Sequence, residues 1–226
     1  MTTLLLVHGA FHGAWCWDRL LPELSSRDVK ARAVELPFTT LADDEAAVVA
    51  EIAALADQSE QVVLLGHSFG GVVISGAGAQ GSTPRPGVAR LVYLAAVLTG
   101  PGEDVAIDPS PGMAALRFED DRARIDAGGS TDAFYHRCSD EDAAWATGHL
   151  RSMPAALLTT PSSAFAWQVL PSTYIVCDDD RMVGPDAQRR MAANATSSIE
   201  ISSEHSPFLS CPAALADVLA PIVAAV

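Results

Sequence analysis

The stretch Val62-Val63-Leu64-Leu65-Gly66-His67-Ser68-Phe69-Gly70-Gly71 constrains this chain more than any other: an apolar run breaks into Gly-x-Ser-x-Gly and resumes as Val72-Val73-Ile74. Two apolar runs joined by a sharp turn read as strand, turn and helix. A serine at the apex of such a turn crowds its neighbours, so the positions two before and two after it accept little beyond hydrogen, which Gly66 and Gly70 provide. The strain drives Oγ outward. The N–H of Phe69, at the start of the helix, has no intrahelical partner and faces whatever negative charge develops beside Ser68. A bare Gly-x-Ser-x-Gly arises by chance in roughly one chain in a dozen of this size, so its weight comes from the strand and helix on either side.

Apolar runs at 4–8, 29–36, 62–66, 91–95, 173–177 and 199–202 alternate with helix-like segments at 17–24, 43–56, 69–79, 186–195 and 212–225. This alternation predicts an α/β fold, a sheet of about six mostly parallel strands with helices on both faces. Asp43 and Asp44 suit a helix N-terminus, and Pro212 suits a first helical position. Between Leu98 and Leu170 the spacing breaks. Pro101-Gly102, Pro109-Ser110-Pro111-Gly112, Gly128-Gly129 and the acidic Glu119-Asp120-Asp121 read as loops. The expected organisation is a core formed by 1–97 and 171–226 with a cap, 98–170, inserted into it. Ser139 with Asp142 three residues later marks a capped helix start inside that cap.

A length of 226 residues suits one such domain with its insertion. The formal charge of −14 opposes binding to nucleic acid, whose recognition rests on Lys and Arg neutralising phosphates. No uncharged apolar stretch approaches the roughly 20 residues needed to span a bilayer, and Met1-Thr2-Thr3 supplies no basic region for a secretory signal. A soluble, cytoplasmic protein without membrane contact is expected. The four cysteines, Cys16, Cys138, Cys177 and Cys211, form no Cys-x-x-Cys pair and read as reduced, mostly buried thiols. His8 and His12 invite a metal reading, but His8 fits better as a hydrogen-bonding support of its loop, and neither metal nor cofactor is expected.

A serine hydroxyl is a poor nucleophile at neutral pH and needs a general base, usually histidine, oriented by a carboxylate. In open parallel sheets ligands bind outside the carboxyl ends of the strands, so the loops after the last two strands are the places to look. They hold Asp178-Asp179-Asp180 and His205. His205 is the expected base. Asp180 is the preferred partner because the turn Arg181-Met182-Val183-Gly184-Pro185 aims its side chain sideways; Asp178 or Asp179 takes its place if the strand ends later. The order Ser68, Asp180, His205 is the one that a strand-turn-helix serine uses. A second amide for an oxyanion is expected from the loop His8-Gly9-Ala10-Phe11-His12-Gly13-Ala14-Trp15, with Ala10 N–H pairing Phe69 N–H. Apolar cap residues offer a pocket wall, and Phe134, Trp145 and Met153, together with His12, are the expected substrate contacts.

These segments, with Tyr174-Ile175-Val176-Cys177, Asp180-Arg181 and the cap stretch Phe134-Tyr135-His136-Arg137-Cys138-Ser139-Asp140-Glu141-Asp142, resemble the α/β-hydrolase fold over nearly the whole chain. Within that fold they resemble the branch of plant methyl-ester hydrolases, such as salicylate methyl esterase, and plant hydroxynitrile lyases. The resemblance implies that Ser68, Asp180 and His205 take the triad positions and Ala10 and Phe69 the oxyanion positions. The lyases carry threonine where this chain has Gly9, and lysine after the catalytic histidine where it has Ser206. Both markers are absent, which implies ester hydrolysis. Serine at position 68 also argues against a haloalkane dehalogenase, whose nucleophile is a carboxylate. The chain is somewhat shorter than typical relatives, which implies a reduced cap. The expected activity is cofactor-independent hydrolysis of a small, largely apolar ester through an acyl-enzyme, with a homodimer as one assembly open to it. Its rivals are a lyase, cyclase or acyltransferase of a biosynthetic pathway, and a ligand-binding protein with a relict pocket.

Overall fold

In the computed structural model, which describes residues 1–58, 60–103 and 109–226, every residue from Thr3 to Val7 is buried. A strand buried without alternation has both faces covered, the condition of a parallel sheet flanked by helices. The strands are β1 (Thr2–Val7), β2 (Lys30–Val34), β3 (Gln61–His67), the short β4 (Ala79–Gln80) and β5 (Thr83–Pro84), β6 (Val88–Leu94), β7 (Leu116–Glu119), β8 (Arg122–Ile125), β9 (Met153–Pro154), β10 (Ser172–Cys177) and β11 (Ser197–Ile201). The helices are α1 (Leu20–Ser25), α2 (Leu41–Ala56), α3 (Gly70–Ala77), α4 (Ala127–Ser130), α5 (Asp140–His149), α6 (Pro185–Ala192), α7 (Pro207–Ser210) and α8 (Pro212–Ala224). Six strands form one wholly parallel sheet in the order β11-β10-β6-β3-β1-β2. Helix α1 packs with α8 and α2 with α3.

Sequence and structure part company in a few places. The expected helix at 17–24 is a 3₁₀ turn, Ala14–Trp17, followed by α1. The acidic Glu119-Asp120-Asp121 is the tip of an antiparallel hairpin, with Asp120 at φ 54°, and Gly128-Gly129 lies within α4. β7, β8 and β9 make a separate three-stranded sheet within 98–170, of which residues 104–108 lie outside the described residues. The predicted cap at Ser139 is present, its hydroxyl accepting from Asp142 N–H at 3.1 Å.

The passage from β3 into α3 is governed by close backbone approach. A Cβ on Gly66 would sit 2.5 Å from Gly70 O, and one on Gly70 would sit 2.6 Å from Val7 O, where the first turn of α3 crosses the end of β1. Both obstacles are main chain and cannot swing aside.

Three histidines lie in the surrounding core, His8, His12 and His67, each no more than 1% exposed. His8 Nδ1 donates to Gly9 O at 2.9 Å while its Nε2 accepts from Leu36 N–H at 3.0 Å, as expected for a loop support. His12 Nδ1 donates to Ala10 O at 2.8 Å and its Nε2 accepts from Tyr135 OH at 2.9 Å. His67 Nε2 donates to His205 O at 2.9 Å. Each ring is therefore a neutral tautomer fixed by a backbone carbonyl. Burial above all holds them neutral: His8 is lowered to about 3, His12 to about 4, and His67 well below the usual histidine range.

Two predictions follow from this packing. Gly66→Ala destabilises the chain by more than about 2 kcal/mol through forced backbone displacement, measured as a loss in urea midpoint at unchanged slope. In acid, the unfolded chain protonates its histidines near pH 6.5, whereas the native rings stay neutral. The stability they contribute is complete above that pH and declines as pH falls toward 4, at about 1.4 kcal/mol per pH unit per proton. Asp44, raised to about 6, and Glu45, also raised, both chiefly by burial, act in the opposite sense, but they are two groups against three. The urea midpoint therefore falls between pH 6.5 and pH 4.5; a flat or rising profile contradicts the neutral histidine core.

Candidate active site

Ser68 stands at the carboxyl end of β3 with φ 52°, in the left-handed region that a non-glycine residue rarely occupies. Its backbone is pinned from the neighbouring strand: its N–H donates to Leu94 O at 3.1 Å, and its carbonyl accepts from Gly71 N–H and Val97 N–H, both at 3.0 Å. The side chain borders a cavity of about 380 Å³. Ala10 and Phe69 border the same cavity, and neither of their N–H groups has a hydrogen-bond partner among the described residues. Phe69 is the N-cap of α3, so its amide also carries the positive end of the helix dipole. The remaining wall is almost wholly apolar, from Val72, Val97, Met113, Leu116, Phe134 and Met182 among others. Free amides that face an apolar cleft can stabilise a developing negative charge more than they would in bulk solvent.

His205 follows β11 and is 1% exposed. Its Nδ1 donates to Asp180 Oδ2 at 2.6 Å. Asp180, in the loop after β10, also accepts from Met182 N–H at 2.7 Å, Val183 N–H at 2.9 Å and Gln188 Nε2 at 2.8 Å. With four donors the carboxylate has no freedom to rotate away from the imidazole. Asp178 instead accepts from Ser203 N–H at 3.1 Å, and Asp179 meets His136 Nε2 at 3.2 Å. The turn Arg181–Pro185 thus directs Asp180, and not its neighbours, at His205. Phe134, a cavity residue, stacks on the His205 ring with centroids 5.4 Å apart, which brings the imidazole to the cavity wall. Ser68 Oγ and His205 Nε2 have no hydrogen-bond partner among the described residues and do not bond each other here; such bonds are often long without substrate and tighten when it binds.

Of the four expected substrate contacts, only Phe134 reaches the cavity. His12 stands one layer behind it, between Ala10 O and Tyr135 OH. Met153 is fully buried in β9, paired with Ala123 of β8. Trp145 is carried to the outer surface, because α5 turns Ala143 and Ala146 inward; it packs against Trp15 and His149 beside a different depression. Sequence reasoning missed Gln188, whose Oε1 accepts from Cys177 N–H at 2.9 Å while its amide holds Asp180 and Val183 O. It is a fully buried amide on the same inward face of α6 as Ala187 and Ala192, which shows only once the helix is docked. Val72, one helical turn after Ser68, was readable from spacing alone. A larger groove of about 610 Å³ bordered by Glu45, Arg85 and Gln168 has no contact with Ser68, His205 or either free amide. Among the described residues no group of three His, Cys, Asp or Glu side chains is placed to hold a metal ion, and no helix is long and apolar enough to cross a membrane.

Known proteins share this framework. The chain is 29% identical over 229 residues to the alpha/beta hydrolase nvfD of Aspergillus novofumigatus, covering 92% of this chain and 91% of that protein. It is 28% identical to methylesterase 2 of Arabidopsis thaliana, covering 96% and 94%. A solved pyrethroid hydrolase of Sphingobium faniae superposes with a TM-score of 0.85 at 25% identity, covering 99% of this chain and 98% of that one. The profile of the alpha/beta hydrolase family matches residues 4–218, and the chain belongs to that family.

Proposed function

We propose that the protein is a serine-dependent carboxylic-ester hydrolase that acts on a small, largely apolar ester through an acyl-enzyme. The observation that carries this reading is the convergence of Ser68, two unpartnered amides and the Asp180–His205 pair on one apolar cavity. His205 Nε2 takes the Ser68 proton as Oγ attacks the ester carbonyl, and the N–H groups of Ala10 and Phe69 hold the oxyanion. Collapse of the tetrahedral species expels the alcohol, which receives its proton from His205. Water, deprotonated by the same nitrogen, then attacks the acyl-enzyme, and the acid departs. Asp180 keeps the proton on Nδ1 throughout, leaving Nε2 as the acceptor.

Relatives named as methylesterase and pyrethroid hydrolase support ester-bond hydrolysis as the reaction class. The absence of both lyase markers has a structural side. A Cβ on Gly9 would lie 2.8 Å from Ser68 Cβ, so a threonine there would crowd the nucleophile. Ser206 is buried and places no cation beside His205. The segment 98–170 serves in this reading as a cap, contributing Met113, Leu116, Phe118, Phe134 and Leu158 to the wall. The cytoplasm is the proposed compartment, in keeping with four free cysteines.

A serine-directed phosphonate is expected to label Ser68, and Ser68→Ala to lower kcat against an aryl acetate by about 10³- to 10⁶-fold. Peptide mapping of the adduct and initial rates check both; a label elsewhere, or turnover surviving in the variant, overturns the assignment. Because no charged side chain among the described residues borders the cavity, methyl and aryl esters of neutral acids are expected to exceed esters bearing a free carboxylate on the acyl chain by at least about tenfold in kcat/KM. A substrate panel decides it, and equal rates for the two sets would sink the apolar-acyl reading.

A further inference from the structure

The loop bearing Ala10 has four consecutive carbonyls occupied by donors that do not border the cavity. Gly9 O is taken by His8 Nδ1 and Ala10 O by His12 Nδ1. The next two belong to one residue: Phe11 O accepts from Arg151 N–H at 2.7 Å, and His12 O accepts from Arg151 Nε at 3.0 Å and Nη2 at 2.8 Å. Between these anchors Phe11 is held at φ 66°, a left-handed conformation that persists in a phenylalanine only where its surroundings impose it.

Arg151 follows α5 in the segment 98–170, yet almost all its partners lie in the core. Its guanidinium also reaches Leu36 O at 3.2 Å and Glu35 Oε1 at 2.7 Å, and it lies 4.7 Å from the centre of the Phe38 ring. One planar fork thereby joins the loop after β1 to the loop after β2. Peptide units are planar, so the Ala10 N–H is set opposite Gly9 O, which His8 holds, while Arg151 fixes the His12 main chain, whose ring in turn takes Ala10 O on the far side of the same residue. An ammonium group offers a single nitrogen and cannot span these sites together.

We infer that Arg151 is a positioning residue through which the cap segment sets the Ala10 amide for the oxyanion. This rests on the serine-hydrolase reading above. The role is distinct from substrate contact, since Arg151 does not border the cavity.

The test uses the full chain with Arg151→Lys and Arg151→Ala, and Ser68→Ala as reference. Hydrolysis of an aryl acetate is measured alongside affinity for an aryl trifluoromethyl ketone and for the corresponding methyl ketone. The fluorinated ketone accepts Ser68 Oγ at its carbonyl carbon, the serine proton moves to His205 Nε2, and the carbonyl oxygen becomes an oxyanion; the methyl ketone reports binding without that charge. Expected are a fall in kcat of about 10²-fold with KM within about threefold, and a comparable loss of affinity for the trifluoromethyl ketone alone. Added guanidinium ion at concentrations below those that unfold the chain restores part of the rate to Arg151→Ala and none to Ser68→Ala. If Arg151→Ala fails to fold, Arg151→Lys carries the comparison. Folded Arg151 variants that keep kcat and fluoroketone affinity, or that lose only KM, overturn the inference while leaving the serine reading intact. Turnover surviving Ser68→Ala removes the serine reading, and the positioning role with it.

Discussion

Everything in this site depends on how closely three pieces of backbone approach one another where β1, β3 and α3 meet. Gly66 faces Gly70 O and Gly70 faces Val7 O at distances no side chain tolerates. That crowding forces Ser68 into a left-handed conformation and presents its side chain at the sheet's carboxyl edge. The same contact aligns the start of α3 with the loop after β1, so that two amides from different parts of the chain border one cavity. A looser junction would leave the strands intact and separate the groups that act together.

The residues most readable from sequence were those whose demands are local. Gly66, Ser68 and Gly70 announce their turn by spacing, and all six strands of the main sheet lie where apolar runs alternate with helical segments. His205 and Asp180 were accessible because strand order tells where loops converge. The choice among Asp178, Asp179 and Asp180 needed side-chain geometry, since all three share one loop and only the turn decides which carboxylate points inward. Trp145 was misplaced because its size suggested a pocket, whereas α5 packs through its alanines and leaves the tryptophan outside. The hairpin around Asp120 hid behind its charge: Leu116-Arg117-Phe118-Glu119 and Arg122-Ala123-Arg124-Ile125 do alternate apolar with charged residues, but each is only four residues long and the acidic turn between them reads as a loop. Arg151 was invisible because its partners are distant along the chain, and Gln188 because only the docking of α6 turns its amide onto Cys177, Asp180 and Val183.

The site's electrostatics follow one pattern. Asp180 is saturated by donors, His8 and His12 are locked as neutral tautomers by carbonyls on one side and donors on the other, and the cavity wall carries no charged side chain among the described residues. Burial would penalise any further charge there. In the proposed reaction an anion formed at a carbonyl beside Ser68 meets fixed dipoles and one imidazole, which need no reorganisation to receive it.

Much of the cavity's wall comes from a different stretch of chain than the groups proposed to react. Ser68, Asp180, His205 and both amides belong to segments flanking the main sheet, whereas Met113, Leu116, Phe118, Phe134 and Leu158 belong to the segment between β6 and β10. In the proposed function, substrate preference can therefore drift by exchange of a few apolar side chains while Ser68, Asp180, His205 and the two amides stay untouched. Arg151 is the point where that independence ends: it stands in the segment that supplies much of the wall, yet its side chain grips the loop that carries the Ala10 amide.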